Sequence, residues 1–269
     1  MPGPTLTAVN VAAPHAPLHL VTAVHRGLAE HLGATAASVA ALRAATPGRD
    51  VFWHVTVDGE GGACPDAPGA DTLICAQHTM GVSAARNAAL AAAAEGGWVF
   101  RLDGDDCLDV DGWVELFADP LFGTTAWCAT NLLTFDGQQT VHWFDAPRRW
   151  ARGQVAEQWT APMLFHPNNI VVDAALALAT GGWPALRVNE DIAYCFAVND
   201  AEPGVALPHV TLRYRKWAHQ TVAQDTYLRD KADAFATIAA VANARRARIG
   251  LGPVTAPQVG SAALYAPGR

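Results

Sequence analysis

The run Leu18–Val24 is apolar except at His19 and Thr22. It is short and β-branched, which predicts a buried strand, and His25-Arg26 follow at its end. Leu28, Leu32, Ala36, Val39 and Leu42 then recur at spacings that keep one helical face apolar, until Pro47-Gly48 ends the unit. Val51–Val57 is a second strand, with Asp58-Gly59 at its carboxyl end. The Gly-, Pro- and Asp-rich stretch 60–70 is a loop, and Thr72–Cys75 a short third strand. Gly81-Val82-Ser83 leads into an Ala-rich helix, with Ser83 as its N-cap and Gly96-Gly97 as its stop. The next run, Trp98–Asp106, reads W-V-F-R-L-D-G-D-D, an apolar strand that stops at Asp103, Asp105 and Asp106. This alternation predicts a parallel α/β half-sheet. Its carboxyl edge would gather Val24–Arg26, Asp58 and Asp103–Asp106, and ligands bind at such an edge.

The pattern changes after Pro120. Asp111 is read as the cap of a short helix over Trp113–Phe117, with Asp109 as a loop residue. Residues 126–134 and 140–144 are strands joined by a turn near Asp136-Gly137. Asp173–Ala179 is a short helix ended by Gly181-Gly182, and Asn189-Glu190-Asp191 opens another over Ile192–Val198. Val210–Tyr214 is a last strand. A long helix follows from Asp225 to about Arg248, basic at its C-terminal end as the helix dipole favours.

Composition narrows the choice of partner. The chain has 269 residues, 51% hydrophobic and 16% charged, with a formal net charge of −7 and a pI of about 5.7. This is a globular composition without the basic surplus of a nucleic-acid binder. The five cysteines are scattered and form no C-x-x-C, which predicts reduced, mostly buried thiols and no structural zinc. No apolar run approaches the roughly 20 residues of a membrane span. Residues 1–17 lack a basic stretch before an apolar core, so no signal peptide is expected and the protein is placed in the cytoplasm.

Three clustered carboxylates at a strand end repel one another unless a cation holds them, which points to a divalent metal and a nucleotide-diphosphate site. Val57-Asp58-Gly59, the G-V-S-A-A-R-N run at 81–87, D-G-D-D at 103–106, Gly181-Gly182-Trp183 and Asn189-Glu190-Asp191 add a second signal. In order and approximate spacing they resemble the family 2 glycosyltransferases, over residues 18 to about 221. The resemblance implies a GT-A fold, a Rossmann-like, mostly parallel central sheet flanked by helices, with a smaller antiparallel acceptor-side part. It implies one domain: a nucleotide-sugar-binding half at about 18–106, an acceptor half at about 107–224, and a C-terminal helix and tail at 225–269.

Site roles follow from the same resemblance. Thr22 and His25 would line the base pocket, and Asp58 would accept a hydrogen bond from the base. Arg86, Asp103 and Gly104 would hold the rest of the nucleotide-sugar. Asp105 or Asp106 would ligate Mn²⁺ or Mg²⁺, with His219 as a further ligand. Asp191 would be the catalytic base. Glu190 and Trp183 are acceptor contacts, although first-turn acids and core packing explain those two as well. The reaction implied is inverting transfer of a sugar from an NDP-sugar, UDP-sugar favoured, to a hydroxyl acceptor. The chain departs from the family in ending its first strand with Ala23-Val24-His25 and in carrying Glu60-Gly61-Gly62 after Asp58. A nucleotidyltransferase is the alternative enzyme reading; it would want a Gly-rich basic loop where this chain has only His25-Arg26-Gly27. A non-catalytic nucleotide- or sugar-binding module is the third reading.

Overall fold

The computed structural model describes residues 11–61, 63–93, 96–134, 140–141, 143–159, 163–216 and 227–258. Strands run β1 (Leu18–His25), β2 (Val51–Asp58), β3 (Thr72–Cys75), β4 (Trp98–Arg101), β5 (Cys107–Leu108), β6 (Trp127–Thr134), β7 (Thr140–Val141), β8 (Arg148–Trp150), β9 (Ile170–Asp173) and β10 (Gly204–Tyr214). The α-helices are α1 (Leu32–Ala45), α2 (Val82–Leu90), α3 (Val110–Ala118), α4 (Gln154–Glu157), α5 (Ala174–Ala179), α6 (Glu190–Ala201) and α7 (Tyr227–Arg248).

One sheet runs in the order β3-β2-β1-β4-β9-β6-β10-β5, with β7 on β6 and β8 on β10. β3, β2, β1 and β4 are mutually parallel. β9 then enters antiparallel between β4 and β6, and β10 lies parallel to β6. Side chains alternate along β4: Val99 faces the cluster under α2, α5 and α6, while Trp98 and Phe100 face the one under α1 and α3. Trp127, Trp150, Trp159 and Trp183 fill the first cluster; Trp53 and Trp113 fill the second.

Several elements differ from the sequence reading, each for a local reason. β9 is absent from the sequence reading, which assigns only its last residue, Asp173, to a helix start. A four-residue strand buried on both faces shows no alternation to find. The N-cap of α2 is Gly81 at φ 86°, and Ser83 instead donates its hydroxyl to the Pro184 carbonyl at 2.7 Å. Asp109, not Asp111, caps α3 by accepting from the Gly112 N–H. Gly112 is required there, because a Cβ would lie 1.6 Å from the Val210 carbonyl oxygen. β10 starts earlier than expected and carries register shifts on either side of Val210, two residues after Pro208, which cannot donate to a ladder. The expected turn at Asp136-Gly137 lies outside the described residues. Cys64 and Cys75 form a disulfide with a Cα–Cα separation of 5.9 Å, which corrects the expectation of reduced thiols; Cys107, Cys128 and Cys195 are free and buried. Among the described residues no helix is long and apolar enough to cross a membrane.

At the opposite end of the strands from Asp58, His19 Nδ1 lies 3.0 Å from His54 Nε2, and His54 Nδ1 lies 3.1 Å from Thr72 Oγ1. Burial, and then the neighbouring His19, push the His54 pKa down from 6.5 to about 4; Asp71 opposes this and Arg43 adds to it. Burial likewise lowers His166 to about 3, with Arg101 adding to the shift and Asp103 opposing it. Both rings are therefore neutral when folded and protonated more readily when unfolded, so stability falls as pH drops below 6.5 and levels off only near or below 4. Thermal melts between pH 7.5 and 4.5 should show that decline, and a His54→Gln variant should flatten it. A His54→Gln variant whose melting temperature falls with pH as steeply as the wild type would refute the assignment.

Candidate functional site

A cavity of about 380 Å³ opens at the carboxyl ends of β1, β2 and β4 and is closed on the far side by the start of α6 and the end of β10. Its floor is a charged cluster in which two guanidiniums face three carboxylates. Arg86 Nη2 donates to Asp103 Oδ1 at 2.9 Å, and Arg86 Nη1 makes a close ion pair with Glu190. Arg101 forks Asp103, from Nε to Oδ1 at 2.9 Å and from Nη2 to Oδ2 at 2.5 Å. Its Nη1 reaches Asn168 Oδ1 at 2.5 Å, Asp191 Oδ2 at 3.3 Å and Glu190 at 3.7 Å. Removing one partner from such a buried network leaves uncompensated charge, a cost of about 3–5 kcal/mol.

The fold dictates this convergence. Arg101 and Asp103 are two residues apart at the end of an extended strand and so point to the same face. Arg86 sits on the first turns of α2, aimed at them by the Gly81 turn. Glu190 and Asp191 are the first two residues of α6, set by Asn189 in a left-handed conformation at φ 60°. Asn189 is the sole non-glycine positive-φ residue among those described, and such backbone strain concentrates at functional sites. The electrostatics follow the contacts. Burial works against the charge on Asp103, but Arg101 and Arg86 outweigh it and hold its carboxyl below the usual range. Burial opposes the Arg101 cation too, and is overcome by Asp103, Glu190 and Asp191.

The predicted residues divide. His25, Asp58, Arg86, Asp103, Gly104, Asp105, Glu190 and Asp191 all line the cavity. Asp58 already accepts the N–H groups of Met80 (2.6 Å) and Gly81 (3.0 Å), which tie β2 to the turn before α2. Thr22 does not reach the cavity: it is fully buried, donating to the Leu102 carbonyl and accepting from Trp53 Nε1. Asp106 is also turned inward, 1% exposed, with Oδ1 accepting the Arg215 N–H at 2.8 Å. Burial, then Asp105 and Asp103, raise its pKa well above the usual carboxylate range, opposed by the Arg215 N–H and Arg101. Trp183 is 3% exposed and packs on Tyr194 with ring centroids 4.6 Å apart, a core role instead of an acceptor contact. His219 lies outside the described residues.

His166 and Asn168 also line the cavity, as do Arg101, Tyr214 and Tyr227, and these last three were not singled out in the sequence. For Arg101 a signal existed: it is the one charged residue in W-V-F-R-L, spaced to share a face with Asp103. Among the described residues no group of three or more His, Cys, Asp or Glu is arranged to hold a metal by itself.

A parallel four-strand half-sheet joined through an antiparallel strand to a second half, with the cavity at its carboxyl edge, is the GT-A fold, and the chain's structural neighbours are glycosyltransferases. Crystal structures of S. aureus TarS are among them. TarS 1-349 matches with a TM-score of 0.58 at 12% identity, over 83% of this chain and 64% of that one. A second TarS structure gives 0.58 at 11% identity, over 83% and 39%. TarS 1-349 in complex with UDP-GlcNAc gives 0.56 at 11% identity, over 86% and 73%. At this identity the likeness is one of fold, and the chain spans less than two thirds of the first two TarS chains. No protein-family model matches the sequence, and neither does a curated protein.

Proposed function

We propose that the protein is a glycosyltransferase that moves a sugar from a nucleoside-diphosphate sugar, UDP-sugar favoured, to a hydroxyl acceptor with inversion, using Asp191 as base. The observation that carries this is the placement of carboxylates around one cavity. Asp58, Asp103 and Asp105 stand on the β1-β2-β4 edge, and Asp191 on the opposing helix start. The UDP-GlcNAc complex of a structural neighbour supports the donor class.

On this reading, His25 and Asp58 receive the base, and Arg86 and Asp103 the ribose side. Arg86 Nε is buried without a hydrogen-bond partner, a donor left for a ligand oxygen. Asp105 is the acidic residue of the pair 105–106 that faces the cavity. A single carboxylate suits a small divalent ion that takes its other ligands from water and substrate phosphates, so Mn²⁺ or Mg²⁺ fits here. Bound there, the ion would supply electrostatic stabilisation to the departing diphosphate. Asp191 Oδ1 accepts the Ile192 N–H at 2.8 Å and Oδ2 faces Arg101, so the carboxylate is fixed at both oxygens while its side chain stays 16% exposed. A fixed carboxylate within reach of an acceptor hydroxyl takes its proton as the new bond forms. With one base and no second carboxylate acting as nucleophile, attack comes from the face opposite the diphosphate, which inverts the anomeric carbon.

UDP and Mn²⁺ together should raise the melting temperature by several degrees more than the sum of either alone, since ligand binding stabilises by mass action. Additive or absent shifts would remove the metal–diphosphate site. A panel of nucleotide-sugars scored by metal-dependent hydrolysis then names the donor.

A further inference from the structure

Arg101 is the sole cation whose guanidinium touches carboxylates on both sides of the cavity and also reaches Asp191, among the described residues. Its two lower nitrogens are committed to Asp103 in a bidentate fork. That leaves Nη1, which the plane of the guanidinium directs at Asn168, Asp191 and Glu190. Arg86 also reaches Asp103 and Glu190, but it does not extend to Asp191. The two arginines are therefore not equivalent. Arg86 joins α2 to the start of α6; Arg101 joins the D-G-D-D turn to the Asp191 carboxylate itself.

We infer that Arg101 is the positioning residue for Asp191: its rigid fork fixes the separation between the donor-side carboxylate Asp103 and the base. The inference rests on the proposed role of Asp191. Asn168 completes the device, accepting from Arg101 Nη1 and lying 3.4 Å from Asp103 Oδ2 through its own Nδ2, so the guanidinium is gripped from two sides. A lysine keeps the charge but has no fork, and so holds Asp103 and Asp191 at no set distance. A displacement of about 1 Å at a reacting group can cost about 100-fold in rate.

The test uses Arg101→Lys and Arg101→Ala in the full chain, with UDP affinity in Mn²⁺ and hydrolysis of the best UDP-sugar from a panel as readouts. For Arg101→Lys, kcat should fall about 30- to 100-fold while the UDP Kd stays within about threefold, because Arg86 and Asn168 still hold Asp103. For Arg101→Ala, kcat should fall further and recover at least about tenfold in guanidinium at tens of millimolar, a small ion that refills the gap. An unchanged kcat in Arg101→Lys, or kcat and UDP binding lost together with no guanidinium rescue, would overturn the inference. If Arg101→Ala fails to fold, Arg101→Lys decides. Should no sugar be turned over, a crystal structure of Arg101→Lys decides instead. A shifted Asp191 carboxylate beside an unmoved Asp103 supports the role, and both unmoved overturns it. Asp191→Asn separates the two levels. Activity in that variant sinks the base reading itself, whereas an inactive Asp191→Asn beside a fully active Arg101→Lys sinks only the role of Arg101.

Discussion

Asp191→Asn should lower turnover at least about 1000-fold, the scale of a lost general base, while UDP affinity stays within about twofold to threefold. The substitution is nearly isosteric. The amide oxygen can still accept the Ile192 N–H, so the α6 start keeps its shape. Arg101 retains its fork on Asp103 and its contact with Asn168, so no buried cation is stranded. What disappears is the capacity to take a proton. Steady-state turnover measured beside a UDP thermal shift checks both halves; turnover at the wild-type rate would end the base assignment.

The second large effect is expected at Asp105, the carboxylate of the pair 105–106 that faces the cavity. Asp105→Ala should abolish the Mn²⁺-dependent part of UDP binding, about a 10- to 100-fold loss of affinity in Mn²⁺, and leave metal-free binding nearly unchanged. Asp106→Asn should do the reverse. Its side chain is buried and bonded to the Arg215 backbone N–H, so stability should respond more than Mn²⁺-dependent affinity. Isothermal titration of UDP with and without Mn²⁺ separates the two. Normal metal-dependent binding in Asp105→Ala would show that the wrong carboxylate was chosen.

Much of this frame was legible because parallel core strands read as continuous apolar runs closed by Gly, Pro or acidic residues. β1, β2 and β4 carried that signal, and their carboxyl ends placed Asp58, Asp103 and Asp105 on one edge. Arg86, Glu190 and Asp191 join them there from distant positions, which spacing alone could not show and family resemblance implied. Thr22 was misplaced because a polar residue mid-strand was assigned to the pocket, whereas its hydroxyl is satisfied inside the sheet by Leu102 and Trp53. For Trp183 the sequence leaves acceptor contact and core packing both open, and the structure selects the core, because an indole near a site motif has no mark in sequence that tells core from surface. The Cys64–Cys75 pairing joins a loop to a strand, and no spacing rule for metal or redox motifs detects it.

The position of β9 bears on how the chain is made. Its residues pair with β4 on one side and β6 on the other, yet they follow both in sequence. During synthesis β4 emerges from the ribosome long before its second neighbour exists. The nascent first half therefore carries an open, apolar strand edge, a template for pairing with other chains. Closure waits for Ile170–Asp173, a non-local contact of the kind that folds slowly. The protein should depend on chaperones while it is being translated, and a chain cut after β6 should aggregate instead of folding as a separate nucleotide-binding half.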